Sequence, residues 1–422
     1  MKKLGMLFMM GLLVTLMMVS LVSCQKKAET PAAVAPAVEV KEAPKASEAK
    51  GSYIDGVYFA VEDSFASTGW KYAVTLVVEN GNIVEADWNG VNVSAGSSKK
   101  AVDKAGKYNM VRFGGAIAEW SVQAQKVEQY LLDTQDPSVI SYKDDEGRTD
   151  DIAGVSIHVV EFFDLAKEAL IAGPAGKGAY ADGAYYAFDE EFASSGWKEY
   201  VALTVINGNI VGANWSGINR TGDDKKLYDA AGKYNMVKFG GAQAEWLVQA
   251  QKAEQYLMDL QDPSLVEYKD DEGRTDAVGG VSIHVNGLFD LASAALEAGV
   301  RELGPYTDGG YYAMGDSFDN GWKDTLSLFV ENGNIVDVYW SALNEKGDDK
   351  KTFDIDGKYN MVAYGGAMSE WYQQAAKIEQ QLLDNQEVSK NVVDDIAGVS
   401  IKIEPFYEMV NKALENGVVS YK

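Results

Sequence analysis

Asp150-Asp151-Ile152-Ala153-Gly154-Val155-Ser156-Ile157-His158 recurs as Asp276-Ala277-Val278-Gly279-Gly280-Val281-Ser282-Ile283-His284 and again as Asp394-Asp395-Ile396-Ala397-Gly398-Val399-Ser400-Ile401-Lys402. Each copy offers an acid, a glycine and then one hydroxyl ahead of an apolar residue. The glycine removes side-chain bulk beside that hydroxyl, so a large group can approach the backbone there. The three serines are therefore either ordinary strand residues or points of attachment.

Working outward, the whole body of the chain is triplicated. Asp55-Gly56-Val57-Tyr58 matches Asp182-Gly183-Ala184-Tyr185 and Asp308-Gly309-Gly310-Tyr311. All nine tryptophans fall into three equivalent sets: Trp70/Trp197/Trp322, Trp88/Trp215/Trp340 and Trp120/Trp246/Trp371. A period this long is a duplicated domain rather than a solenoid unit, because roughly 100–150 residues can close their own core. The sequence divides into domains at 53–172, 180–299 and 306–418, with Gly- and Pro-bearing linkers at 172–181 and 298–307.

Within the first unit, Gly56 to Val61 reads as a strand. Tyr72 to Glu79 and Ile83 to Trp88 read as a hairpin joined at Asn80-Gly81, a turn repeated at Asn207-Gly208 and Asn332-Gly333. Trp120, Ala124, Val127 and Leu131 lie on one face of a helix that Gln135-Asp136-Pro137 ends. A short strand over Ser156 to Val159 and a last helix with Phe162, Leu165, Ala166 and Ala169 on one side complete the unit. The predicted class is α+β, with antiparallel strands and two main helices per copy.

The amino terminus carries a different signal. Met1-Lys2-Lys3 precedes an apolar run from Leu4 to Val19, the pattern of a secretory signal. Leu21-Val22-Ser23-Cys24 resembles the bacterial lipobox, which implies cleavage ahead of Cys24, the chain's single cysteine, and acylation of it. With no second cysteine there is no intrachain disulfide. Residues 1–24 are thus expected to be a signal and lipidation site. Residues 25–52, rich in Ala, Lys, Glu and Pro, are expected to be a flexible tether. The chain has 63 acidic against 38 basic side chains, a formal charge of −25. Nucleic acid and anionic lipid surfaces are therefore poor electrostatic partners, and no nucleic-acid partner is expected.

The Asp-Gly-x-Tyr strand, the Asn-Gly hairpin, the helix ending before Gln-Asp-Pro-Ser, and Asp-x-x-[small]-Gly-x-Ser before a final helix together resemble the FMN-binding lipoprotein domain. That family includes extracytoplasmic electron-transfer lipoproteins and a subunit of sodium-pumping quinone oxidoreductases. The resemblance covers nearly all of 53–418, three times. It implies that a flavin transferase moves FMN from FAD onto the hydroxyl that ends the motif. The acceptors would be Ser156, Ser282 and Ser400, the motif acids Asp150, Asp276 and Asp394, and the close-approach glycines Gly154, Gly280 and Gly398. Here Val155, Val281 and Val399 stand where the family carries alanine. A small residue (Ala153, Gly279, Ala397) replaces the hydroxyl residue before the glycine, and serine replaces the commoner threonine. The implied protein is an extracytoplasmic, membrane-anchored electron carrier rather than a turnover enzyme, fed by a membrane reductase. The competing class is a non-redox surface lipoprotein that keeps the fold without flavin.

Other features read more plainly. Tyr108-Asn109-Met110 with Gly114-Gly115, repeated at Tyr234 and Tyr359, form either a helix-opening glycine pair suited to a phosphate or a packed turn with core aromatics. His158 and His284 become Lys402 in the third copy, so they read as strand-surface residues. The acidic loops at Asp144-Asp145-Glu146 and Asp270-Asp271-Glu272 have adjacent rather than alternating acids, unlike a calcium loop. No nucleophile–His–acid set or P-loop is present.

Overall fold

The computed structural model describes residues 52–389 and 396–421. Cys24, the signal, nearly all of the tether and Asp394 lie outside the described residues. Three repeated units follow one another, each a three-stranded antiparallel sheet followed by four helices.

In the first unit, β1 (Gly56–Val61), β2 (Trp70–Glu79) and β3 (Asn82–Asn92) pair in that order. Asn80 and Gly81 both take positive φ, 51° and 75°, the conformation a primed hairpin turn demands. Helices α1 (Lys99–Lys104) and α2 (Met110–Gly114) are short, whereas α3 (Trp120–Thr134) and α4 (Val160–Ala172) are long. The second unit repeats the plan with β4 (Gly183–Phe188), β5 (Lys198–Ile206), β6 (Asn209–Ile218), α5 (Lys225–Ala230), α6 (Met236–Gly240), α7 (Trp246–Leu260) and α8 (Asn286–Ala298). The third has β7 (Gly309–Met314), β8 (Trp322–Glu331), β9 (Asn334–Asn344), α9 (Lys350–Ile355), α10 (Met361–Gly365), α11 (Trp371–Asn385) and α12 (Glu404–Asn416).

The helical stripe read from sequence forms the core. Trp120, Ala124, Val127 and Leu131 are all 2% exposed or less, and they meet Val74, Leu76, Val78 and Trp88 of the sheet. Burying each large apolar side chain there contributes roughly 1.5–3 kcal/mol. Helix α3 also supplies the hydrogen bonds that the outer strand lacks. Glu128 accepts from Trp88 N at 2.7 Å, and Gln135 accepts from Ile83 N at 2.7 Å. An edge strand's unpaired N–H groups are thereby satisfied. The same two bonds recur from Glu254 and Gln261, and from Glu379 and Gln386. Glu128 is itself paired with Lys100 at 2.5 Å, and Glu379 with Lys351 at 2.5 Å.

Antiparallel sheets covered on one face commonly leave the other to water. Here the second faces meet each other. Ala73 and Val91 pack with Ile206 and Val211 of the second unit, while Tyr200 and Ile218 pack with Phe329 of the third. Polar contacts join this layer, including the buried pair Lys198–Asp337 at 2.5 Å and the bond from Thr204 Oγ1 to Gly96 O at 2.8 Å. The first and third units also touch directly. Ser97 N donates to Asn332 Oδ1 at 3.1 Å, and Lys107 Nζ to Tyr306 O at 2.6 Å.

The strand expected over Ser156 to Val159 is absent. The segment is an irregular loop leading into α4. Its backbone N–H at Ser156 is taken by a side chain rather than by a neighbouring strand, so no ladder can form.

Candidate functional site

Each serine lies in the loop between the two long helices and is exposed. Two side chains from the preceding helix shape that loop. Gln123, fully buried, accepts from Ser156 N at 2.7 Å and Ser156 Oγ at 3.2 Å, and its Nε2 donates to Ala118 O at 2.7 Å. The amide thus ties the serine loop to the start of α3. Gln249 holds Ser282 with the same two distances, and Gln374 holds Ser400 at 2.6 and 3.2 Å. The hydroxyl keeps free lone pairs facing solvent, which an acceptor of a transferred group requires.

The second side chain is a lysine one turn further on. Lys126 Nζ donates to Gly154 O at 3.2 Å and Ala153 O at 3.4 Å. Lys252 reaches Gly279 O at 3.1 Å, and Lys377 reaches Ala397 O at 3.4 Å. The glycine beside each is in the left-handed region, with φ of 75° at Gly154, 79° at Gly280 and 77° at Gly398. A Cβ at Gly280 would sit 2.7 Å from Lys252 Nζ, and one at Gly398 2.6 Å from Lys377 Nζ. Glycine is favoured there by conformation, while the ammonium, at the end of a flexible side chain, could shift aside for a Cβ. Neither the glutamine nor the lysine was singled out from sequence. The signal was present as Gln123-Ala124-Gln125-Lys126, Gln249-Ala250-Gln251-Lys252 and Gln374-Ala375-Ala376-Lys377.

Val155 and Val281 are each 8% exposed and belong to the core clusters of their units, and Val399 packs partly buried against the third. The valines face inward, leaving the serine side of the loop open. The motif acids stand apart from the hydroxyls. Asp150 pairs with Lys143 at 2.9 Å and Asp276 with Lys269 at 3.0 Å, both largely exposed. His158 and His284 are exposed in the loop rather than on a strand, 3.3 and 3.5 Å from Glu146 and Glu272.

The glycine pairs do not open a long helix. Gly114 ends α2 and Gly115 caps it with a φ of 64°. The N-terminal amides of α2 are already occupied by a carboxylate, since Glu119 accepts from Met110 N at 2.7 Å. Glu245 and Glu370 do the same, at 2.7 Å each. The pair thus closes a short helix instead of opening the long one, and Tyr108 packs partly buried against the core. The same short helix nevertheless presents an exposed ring in every unit: Phe113, Phe239 and Tyr364.

Beneath Trp120, at the start of α3, lies a buried lysine among aromatic rings. Lys99 Nζ is 4.6 Å from the Trp70 and Tyr108 centroids, 4.8 Å from Tyr72 and 5.1 Å from Trp120, and it hydrogen-bonds Tyr72 OH at 3.0 Å. Burial pushes this amine down to about 7, with Asp103, Glu161 and Glu62 opposing the shift. Lys225 and Lys350 occupy the equivalent positions over Trp246 and Trp371, at 4.0 and 4.3 Å, and burial lowers both.

Among the described residues, no group of three or more His, Cys, Asp or Glu is placed to hold a metal ion. No helix among them is long and apolar enough to cross a membrane. No family model matches the chain, and no curated protein matches it. It is similar to a solution NMR structure of a protein from Clostridium thermocellum, at 51% identity, covering 28% of this chain and 90% of that one, with a TM-score of 0.24. It is also similar to a crystal structure of a protein from Clostridium perfringens, at 23% identity, covering 28% of this chain and 99% of that one, with a TM-score of 0.23. Neither name states an activity.

Proposed function

We propose that each repeat carries FMN as a phosphate ester on Ser156, Ser282 or Ser400, and that the chain is an electron carrier. The observation that supports this best is the threefold recurrence of one arrangement: an exposed serine hydroxyl, held by a buried glutamine amide, beside a left-handed glycine and a lysine ammonium. Three copies keeping the same two supporting side chains argue for a shared task.

The residues fit the group. Gly154, Gly280 and Gly398 keep the approach to the hydroxyl free of a Cβ. Lys126, Lys252 and Lys377 would supply positive charge beside a phosphoryl group, in a chain that is otherwise strongly acidic. Gln123, Gln249 and Gln374 would lose the hydroxyl's bond on esterification and keep the serine in place through its backbone N–H, at 2.7, 2.7 and 2.6 Å. Phe113, Phe239 and Tyr364 offer exposed faces on which a flat ring can stack. The flavin, when attached, supplies the redox chemistry, while the protein supplies attachment and surroundings.

On this reading the carrier sits outside the cytoplasm, anchored through a lipid on Cys24, receives flavin from a transferase and electrons from a membrane reductase. It acts without a substrate pocket of its own. The test is intact mass after denaturation, with and without a co-expressed flavin transferase. One FMN-phosphoryl adduct per serine is expected, each lost on Ser→Ala at that position alone. Absence of any adduct, together with absence of flavin in protein from its own host, rejects the reading and leaves the surface-lipoprotein alternative.

A further inference from the structure

Arg301 lies between α8 and β7, its backbone N donating to Ala184 O at 2.8 Å, where the second and third repeats meet. Its guanidinium is half-buried and stacks on Tyr186, 5.2 Å from the ring centroid. Nε is buried without a hydrogen-bond partner. Among the described residues the ion-paired arginines are Arg148 and Arg274, so Arg301 has no carboxylate against it. That is notable in a chain with 63 acids to 38 bases. Removing a cation from water without a counter-charge is costly, so an uncompensated guanidinium at a cleft marks a place for an anion.

The cleft beside it has a volume of about 470 Å³ and is lined by Tyr186, Phe188, Asn334, Gln380 and Asp384 as well as Arg301. That size suits a small molecule. The one acid on its wall, Asp384, already accepts from Gln380 Nε2 at 2.8 Å. Glu331, which also neighbours Tyr186, is buried, and its carboxyl is pushed well above the usual range by that burial. Two aromatic walls and one planar, fork-shaped donor select a particular ligand chemistry. A carboxylate matches the fork, and a flat apolar body matches the rings.

We propose that this cleft binds a small monocarboxylate carried on a flat apolar body, with Arg301 as its counter-charge and Tyr186 and Phe188 as its walls. The site is separate from the serine loops and stands whether or not flavin is attached.

Sodium benzoate serves as the probe, titrated into the full chain by calorimetry, with acetate and inorganic phosphate as comparisons. Saturable one-to-one binding of benzoate is expected, at least tenfold tighter than acetate or phosphate. Arg301→Met should weaken it at least tenfold. Gln380→Glu provides a check independent of any folding defect at Arg301, because Gln380 is an exposed helix residue. The added carboxylate should pair with Arg301 and compete the ligand out to a similar extent. No saturable benzoate binding, undiminished binding in either variant, or a preference for phosphate would overturn the proposal.

Discussion

The first and second repeats solve one problem in two ways. Both bury a lysine under the tryptophan that starts the first long helix. In the second repeat Glu199 answers it, accepting from Lys225 Nζ at 3.1 Å and from the indole N–H of Trp215 at 3.1 Å. In the first, the equivalent residue is Tyr72, which gives Lys99 a hydroxyl but no charge. Trp88 Nε1 is then left buried without a partner. The third repeat is intermediate: Asp324 is one carbon shorter, and Trp340 Nε1 is again without a partner. A single position therefore decides whether the lysine has a carboxylate partner and whether a core indole is satisfied. The lesson is that copies with the same fold need not share the same electrostatic interior.

The largest effect should come from what the repeats have in common. Glu379→Ala strands the mostly covered Lys351 and the buried Trp340 amide together, and should cost about 3–5 kcal/mol by denaturant titration. Glu128→Ala should cost a similar amount in the first repeat. Equal losses would show that the shared ion pair is independent of the divergent cage. Next comes pH. Lys99 titrates near 7 when folded but at its ordinary 10.5 when unfolded, so the unfolded chain binds the extra proton between those values. Stability should therefore rise with pH across that window, by at most about 1.4 kcal/mol per unit from this group. The slope should be missing in Lys99→Met. A wild-type slope no greater than that of Lys99→Met would place the amine's folded value back near 10.5.

A smaller contrast separates the lysines themselves. Lys225→Met removes the partner of Glu199 and should destabilise by roughly 1–3 kcal/mol. Lys99→Met at pH 6 should be neutral or stabilising, since burial of this charge outweighs the attraction of Asp103, Glu161 and Glu62, none of which pairs with it directly. Matching losses in the two variants would erase the distinction drawn here. The smallest expected change is a gain: Asp324→Glu, lengthened to reach Trp340 Nε1, should add about 1 kcal/mol. It should also shift the indole N–H proton resonance of Trp340 alone.

Much of this was legible in the sequence. β1 was read over its observed span, Gly56 to Val61, a short run rich in β-branched and aromatic residues. The Trp120 stripe became the core, since an apolar face at helical spacing has one way to be buried. The loop at Ser156 was misread as a strand because Val155 and Ile157 suggest alternation. What settles it is Gln123, distant in sequence and polar, which takes the backbone N–H a strand would use. The second sheet face escaped notice for a related reason. Ala73, Thr204 and Tyr200 are too small or too polar to announce burial, and only the neighbouring repeat shows that they are covered. Lys99 was invisible in the same way, being a lysine at the start of a short helix that nothing nearby in sequence marks as interior.

The contact between the first and third repeats ties the three units into a mutually braced set rather than a simple row. In an open array each unit leans on its neighbours, and units can be added at the end. Here the two ends of β5 already serve different partners, Ile206 toward the first repeat and Tyr200 toward the third. Ser97 and Lys107 of the first repeat also meet Asn332 and Tyr306 of the third. The second repeat thus braces both neighbours with one strand, and a chain cut back to its first two repeats would bare Tyr200 and Ile218 as an apolar wall.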